Sequence, residues 1–335
     1  MFAKNTCRSW WITKFFNFHG SIPWRFWLSL VIMTPLLTGC KASDHRPSGP
    51  IQKHSLTAFL SQLEARLQAD IAVSFYDIAS GQYVGYRDTV MMHAASTMKV
   101  PVMIEVFRQA EAGRFSLDDS IRVTNEFHSI VDGSPYTLEI SVDGEKTLYH
   151  RLGQQASIRE LVEQMITRSS NLATNLLIEL VDAQNVTATM RELGAERIQV
   201  LRGVEDIKAY ERGLNNRTHA YDLAVVLRAI VENRAASPES CREMLEIMKR
   251  QHYRNKIPAG VPEGVPVANK TGFITRIDHD MAVVFPPGRE PYILVVLTRG
   301  MASHQQASET IAAISRWVWQ AMESASSASN GPENE

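Results

Sequence analysis

Ser96-Thr97-Met98-Lys99-Val100-Pro101-Val102-Met103-Ile104 sets a serine and a lysine three residues apart at the head of an apolar run that continues to Phe107. Val100, Met103, Ile104 and Phe107 recur at helical spacing, so the run predicts a helix at about 97–112 that begins near Ser96. A helix start leaves backbone N–H groups unpaired and carries the positive end of the dipole, which stabilises negative charge developing near a serine placed there. Lys99 falls one turn later on the same face, where its amine can reach the Ser96 hydroxyl. A free lysine is protonated at neutral pH and accepts no proton. Burial and a second cation, here Lys270, lower its pKa into a useful range. Pro101 lacks a backbone donor and fits only in the first turn or at a kink. The competing reading of Ser96 and Lys99 is a helix cap and a solvated lysine.

Outward from this helix the pattern switches between two periods. Leu56, Leu60, Leu63 and Leu67 mark an amphipathic helix. Ile71, Val73 and Phe75, a Ser80-Gly81 turn and the alternation from Tyr83 to Arg87 predict a hairpin. Further helices are expected at 158–167, behind a capping box of Ser157 and Glu160, and at about 172–182, 185–193, 219–233 and 238–250. Strands return at Ala282 to Phe285 and in the nearly all-apolar Tyr292 to Thr298, which reads as a buried central strand. A last helix opens at a second capping box, Ser303 with Gln306, and a Ser/Ala/Asn-rich tail over 323–335 is expected to be disordered. Tyr136, Leu138, Ile140 and Val142 alternate up to Asp143-Gly144, and Thr147 to His150 can return, which predicts one more hairpin. The fold class expected is α+β: an antiparallel sheet built from both chain ends (about 55–95 and 263–322) and flanked by helices, with a mainly helical inserted part (about 96–262).

Two other short patterns accompany Ser96 and Lys99. Ser169-Ser170-Asn171 falls between two predicted helices, so its outer side chains can project from a turn; alone it reads equally well as a helix cap. Lys270-Thr271-Gly272 is expected on a strand beside the serine, where Gly272 leaves room for a ligand to approach. By average residue usage, S-x-x-K alone arises about once in a chain this long and K-T-G in about one chain in ten. Their occurrence together and in order resembles the serine β-lactamases and penicillin-binding proteins, whose signature is S-x-x-K, S-D-N or S-x-N, and K-T-G. The resemblance covers most of 55–322, and class A β-lactamases fit the layout best. Ser170 departs from class A, where the middle residue is Asp, and matches the commoner penicillin-binding form.

That resemblance implies the serine β-lactamase/transpeptidase-like fold and a role for each residue. Ser96 is the nucleophile and Lys99 the base, directly or through water. Ser169 relays a proton to the departing nitrogen, Asn171 hydrogen-bonds the substrate amide, and Lys270 and Thr271 hold its carboxylate. The backbone N–H groups of Ser96 and of Phe273, which follows Gly272, form the oxyanion hole. Arg276 is either a second cation for the carboxylate or an exposed surface residue. A class A enzyme also needs an Ω-loop Glu to activate water against the acyl-enzyme. Two candidates stand in Arg202-Gly203-Val204-Glu205-Asp206 and in Glu211-Arg212-Gly213-Leu214-Asn215-Asn216. Glu205 follows an arginine as the family's Glu does, but one residue further along. Glu211 matches the E-x-x-L-N spelling, but the loop then ends too soon. Glu205 is preferred, against a plain loop salt bridge with Arg202.

The functions left open are β-lactam hydrolysis, a cell-wall D,D-peptidase or other amide hydrolase with the same core, and peptidoglycan binding without turnover. The substrate class is a β-lactam or a peptidoglycan peptide, and a monomer is expected. No cofactor or metal is expected. Neighbouring strand positions in Asp278-His279-Asp280 point to opposite faces, and no Cys or His partner has metal-ligand spacing.

Composition bounds the partners. The 335 residues carry 35 Lys+Arg against 36 Asp+Glu, a net charge of −1, which argues against a nucleic-acid binder. Residues 1–39 hold Lys4, Arg8, Lys14 and Arg25 and no acid, so the remainder carries 31 against 36, or −5. Phe26 to Leu37 is a 12-residue apolar core, too short to span a bilayer and suited to a signal peptide. Leu37-Thr38-Gly39-Cys40 resembles the bacterial lipobox, which implies cleavage before Cys40, its lipidation, a tether over 40–54 and an exported chain anchored on the periplasmic side of the envelope. Of the three cysteines this leaves Cys241 alone, without an internal disulfide and read as packing.

Overall fold

The computed structural model describes residues 51–329, and in it both chain ends build one sheet. Its strands are β1 (Asp70–Asp77), β2 (Tyr83–Tyr86), β3 (Val267–Ile274), β4 (Ile277–Val284) and β5 (Tyr292–Arg299), all antiparallel and ordered β2-β1-β5-β4-β3. β1 pairs with β5 over its whole length, Asp70 opposite Arg299 and Asp77 opposite Tyr292, which ties the two ends together. The two-residue period sorts the core into layers. Ile71, Val73, Phe75, Val284, Leu294 and Val296 pack under α1 (Lys53–Leu67) and α9 (His304–Ser329). Ala72, Met281, Val283, Ile293, Val295 and Leu297 face the helical part. Covered on both faces, β5 reads as a continuous apolar run, as expected of a central strand.

The helical part comprises α2 (Lys99–Glu111), α3 (Ile158–Thr167), α4 (Asn171–Val181), α5 (Ala183–Glu192), α6 (Ile207–Glu211), α7 (Ala220–Val231) and α8 (Pro238–Lys249). The capping residues act as predicted: Ser157 Oγ accepts from Glu160 N at 3.1 Å and Ser303 Oγ from Gln306 N at 3.1 Å. A single 3₁₀ turn, Ala95–Met98, precedes α2, so Pro101 sits in the first turn of α2, where its missing donor goes unneeded. Cys241 is a free thiol buried in the core.

Four expectations change. The predicted signal segment, Cys40 and most of the tether lie outside the described residues. Residues 51–54 are not tether: Ile51 is buried and exchanges hydrogen bonds with the Gln82 side chain at 3.1 and 2.7 Å, and α1 begins at Lys53. At the other end, α9 runs on to Ser329, because alanine and serine continue a helix whose last packed turns are already fixed by Val318 and Met322. Residues 207–211, read only as loop, form the short helix α6, capped by Asp206 through Ala209 N at 3.1 Å.

The fourth change concerns Asp143-Gly144, which turns no hairpin. Residues 137–146 form no strand, and Thr147–Arg151 is a 3₁₀ turn. Leu138 is buried while Val142 is 63% exposed, so the alternation has no sheet face to serve. The Asp143 carboxylate instead accepts the backbone N–H groups of Asn171 and Leu172 at 2.9–3.0 Å. Gly144 packs so tightly on the α3–α4 turn that a Cβ there collides with the Arg168 carbonyl oxygen and lies 2.9 Å from the Tyr253 hydroxyl. Because the obstacle is backbone, Gly144→Ala is expected to lower unfolding free energy by about 1–3 kcal/mol in urea titration. Unchanged stability contradicts this packing.

Candidate active site

Three pieces of backbone meet at edge strand β3: the 3₁₀ turn carrying Ser96, the α3–α4 turn carrying Ser169, and β3 itself with Lys270. Ala95, just before the serine, sits at φ +45, a conformation that costs a non-glycine residue on the order of 1 kcal/mol or more. Its N–H donates to His93 Nδ1 at 3.0 Å, and Thr97 Oγ1 donates to Ala94 O at 2.6 Å. Gly272 was expected to admit a ligand; what it admits first is this turn. A Cβ on Gly272 would lie 2.9 Å from Ser96 N and 3.1 Å from both Thr97 N and the Ala95 Cβ. Phe273, the next residue, is 51% exposed with its ring edge-on to His304. Thr271 is buried in the same strand.

Lys99 is wholly buried and donates to Ser169 O at 2.7 Å, Asn171 Oδ1 at 2.9 Å, Ser169 Oγ at 3.3 Å and Ser170 O at 3.3 Å. Among the described residues none of its hydrogen bonds goes to Ser96, so the predicted Ser96–Lys99 contact is replaced by a clamp on the opposite turn. Burial lowers the Lys99 pKa to about 7, against the upward pull of Asp143 and Glu205. Lys270 is also fully buried and donates to Ser169 Oγ at 3.1 Å and Thr271 O at 2.8 Å. Burial and the neighbouring Lys99 hold its pKa well below the ordinary lysine value. The Ser169 hydroxyl, on a residue at φ +60, thus receives both lysines on its oxygen, and its own proton is left to point elsewhere. Ser170 turns inward and caps α4 through Ala173 N at 3.2 Å.

The two candidate carboxylates separate clearly. Glu205 Oε1 accepts from Asn171 Nδ2 at 2.8 Å, the same side chain whose Oδ1 accepts Lys99, and Glu205 Oε2 accepts from Glu139 N at 3.1 Å. Glu211 is exposed at the end of α6. Arg202 makes no ion pair among the described residues; it donates to Leu214 O, Gly203 O and Asn215 Oδ1 at 2.9–3.1 Å, so the loop salt bridge with Glu205 does not form. Arg276 lies outside the site, exposed in the β3–β4 turn and donating to Gly300 O at 2.9 Å. Asp278 pairs with Lys256 at 3.0 Å and His304 at 2.7 Å, while His279 points to the other face and meets His93 O at 2.9 Å.

Sequence reading missed the residues that hold Glu205 in place. Asn175, one turn along α4 from Asn171, accepts Val204 N at 2.6 Å and donates to Val204 O at 3.1 Å. A Cβ at Gly203 would lie 2.6 Å from Asn175 Oδ1, so any side chain there displaces the Asn175 carboxamide. The i, i+4 spacing of Asn171 and Asn175 was the available signal.

Residues 55–322 match the model of the beta-lactamase enzyme family. A β-lactamase of Bacillus licheniformis is 27% identical over 78% of this chain and 83% of its own, and one of Streptomyces albus G is 27% identical over 71% and 75%. Among solved structures, a β-lactamase of Sphaerobacter thermophilus superposes with a TM-score of 0.69 at 26% identity, covering 82% of this chain and 98% of its own. A protein named PBP-A gives 0.69 at 26% identity over 81% and 96%, and a reconstructed ancestral class A β-lactamase 0.70 at 26% over 79% and 99%.

With Lys99 titrating near 7, only its neutral form accepts a proton. Covalent labelling of Ser96 by a serine-directed fluorophosphonate is therefore expected to slow about tenfold per pH unit below 7. A rate flat from pH 5 to 8 contradicts Lys99 as the base.

Proposed function

The chain belongs to the beta-lactamase enzyme family, and from that premise we propose that it opens the β-lactam amide through a Ser96 acyl-enzyme, which water activated by Glu205 then hydrolyses. The observation that carries this reading is Asn171, whose amide group spans Lys99 at 2.9 Å and Glu205 at 2.8 Å. One carboxamide thereby links the lysine that serves acylation to the carboxylate that serves deacylation.

In the first half-reaction neutral Lys99 takes the Ser96 proton, directly or through water, as the oxygen attacks the lactam carbonyl. The N–H groups of Ser96 and Phe273 stabilise the oxyanion. The C–N bond breaks as Ser169 gives its proton to the nitrogen and is resupplied by Lys99, 3.3 Å away. Lys270 and Thr271 face the substrate carboxylate. In the second half-reaction Glu205 takes a proton from water, the hydroxide attacks the ester carbonyl, and Ser96 leaves with a proton whose loss is made good by the one Glu205 gives back. The Ser170 form of the motif favours a second reading, a D,D-peptidase acylated by β-lactams without turnover. The apolar core at 26–37 and the Leu37–Cys40 spelling support export and lipid attachment at Cys40.

Steady-state hydrolysis of a chromogenic cephalosporin tests the proposal. Ser96→Ala is expected to abolish turnover, Glu205→Gln to lower kcat by about 10²–10⁴-fold, and Glu211→Ala to leave it unchanged. Loss in Glu211→Ala with retention in Glu205→Gln reverses the assignment, and no hydrolysis by the unmodified protein removes it. Cys40→Ser is expected to move the protein from the membrane fraction to the soluble periplasmic fraction.

A further inference from the structure

Asp143 has no part in the mechanism above, yet its side chain is only 5% exposed directly beneath the Ser169–Asn171 turn. Its two oxygens accept Asn171 N at 2.9 and 3.0 Å, Leu172 N at 2.9 Å, Glu145 N at 3.0 Å and the Tyr149 hydroxyl at 2.9 Å. The first two donors are orphan N–H groups at the start of α4, where a carboxylate is held best. The middle residue of the motif, Ser170, caps α4 through Ala173 N and brings no charge. Asn171 is held at its backbone by Asp143 and at its side chain by Lys99 and Glu205.

We propose that Asp143 is a positioning residue for this site: its carboxylate fixes the turn that aims Ser169 and Asn171 at Lys99. The inference rests on the acyl-enzyme reading only for its kinetic readout. Lys99 faces Ser169, Ser170 and Asn171 on the turn, Glu205 on the Ω-loop, Lys270 on β3, and Asp143. Asp143 itself faces Tyr149, Tyr253, Glu145 and Arg168, the last paired with Glu145 at 3.2 Å. Of these groups, Asp143 and Glu205 both raise the Lys99 pKa against its burial. Because Asp143 also holds the turn by hydrogen bonds, removing its charge separates two effects. The lysine loses a proton more easily, while the turn is held less well.

The test is the ¹³C NMR titration of Lys99 in protein labelled at lysine Cε, with the Lys99 signal assigned by its loss in Lys99→Arg. Acylation by a β-lactam is measured alongside over pH. In Asp143→Asn the Lys99 midpoint is expected to fall by about one pH unit. The acid limb of acylation is expected to fall with it, and the plateau rate by about 10–100-fold. Tyr149→Phe leaves the charge and removes one donor, so the midpoint stays in place and the plateau falls by about 2–3-fold. An unmoved Lys99 midpoint in Asp143→Asn overturns the electrostatic role, and an unchanged plateau overturns the positioning role. If Asp143→Asn does not fold, an unchanged plateau in Tyr149→Phe overturns the proposal. The titration needs no reaction with a β-lactam, so a protein that never acylates refutes the proposed function without deciding the role of Asp143.

Discussion

The site depends on where the buried amine of Lys99 is put. A lysine taken wholly out of water costs several kcal/mol unless its hydrogens are satisfied, and here the acceptors come from one turn, Ser169 to Asn171. That requirement explains why the turn is bent as it is, with Ser169 at φ +60 so that its carbonyl and hydroxyl face the same amine. It also explains why the turn is braced from three directions: Ser170 from within α4, Asp143 from below and Glu205 across Asn171. Burial brings the Lys99 pKa down to about 7, against the upward pull of Asp143 and Glu205. Stability and chemistry draw on the same contacts.

The second constraint is the close approach of β3 to the serine turn. Gly272 lets the backbone N–H of Ser96 come beside the strand, and Ala95 accepts an unfavourable φ to put it there. His93 and His279 then tie that turn to β4. Burial lowers both imidazole pKa values to about 4, so at neutral pH each is uncharged and can offer one ring nitrogen as acceptor. Oxyanion stabilisation needs donors that do not reorganise during reaction, and the proposed oxyanion hole at Ser96 N would draw on this packing.

Much of this was legible in the chain. Alternation at Ile71, Val73 and Phe75 and the apolar run at Tyr292 gave strands, and both capping boxes formed, because these signals are local and agree with the tertiary environment. Lys99, Ser169, Asn171 and Lys270 stood in short motifs that hydrogen bonds join in space, while Ser96 comes beside Gly272 through its backbone N. Asp143 was misread because Asp-Gly between alternating residues is a local turn signal, while the partner that claimed the carboxylate lies 28 residues away. The support of Glu205 by Asn175 was equally hidden, since it joins α4 to a loop 29 residues downstream. The i, i+4 spacing of Asn171 and Asn175 puts both on one face of α4, but no periodicity says which distant loop that face meets.

A single time course decides whether the acyl group arrives on Ser96 and is then removed. Intact-protein mass spectrometry of the unmodified chain mixed with benzylpenicillin, then chased by dilution, follows both steps. A covalent adduct on Ser96 that forms and disappears, regenerating free protein and hydrolysed penicillin, is the result predicted. An adduct that persists undiminished through the chase, or none at any time, contradicts it.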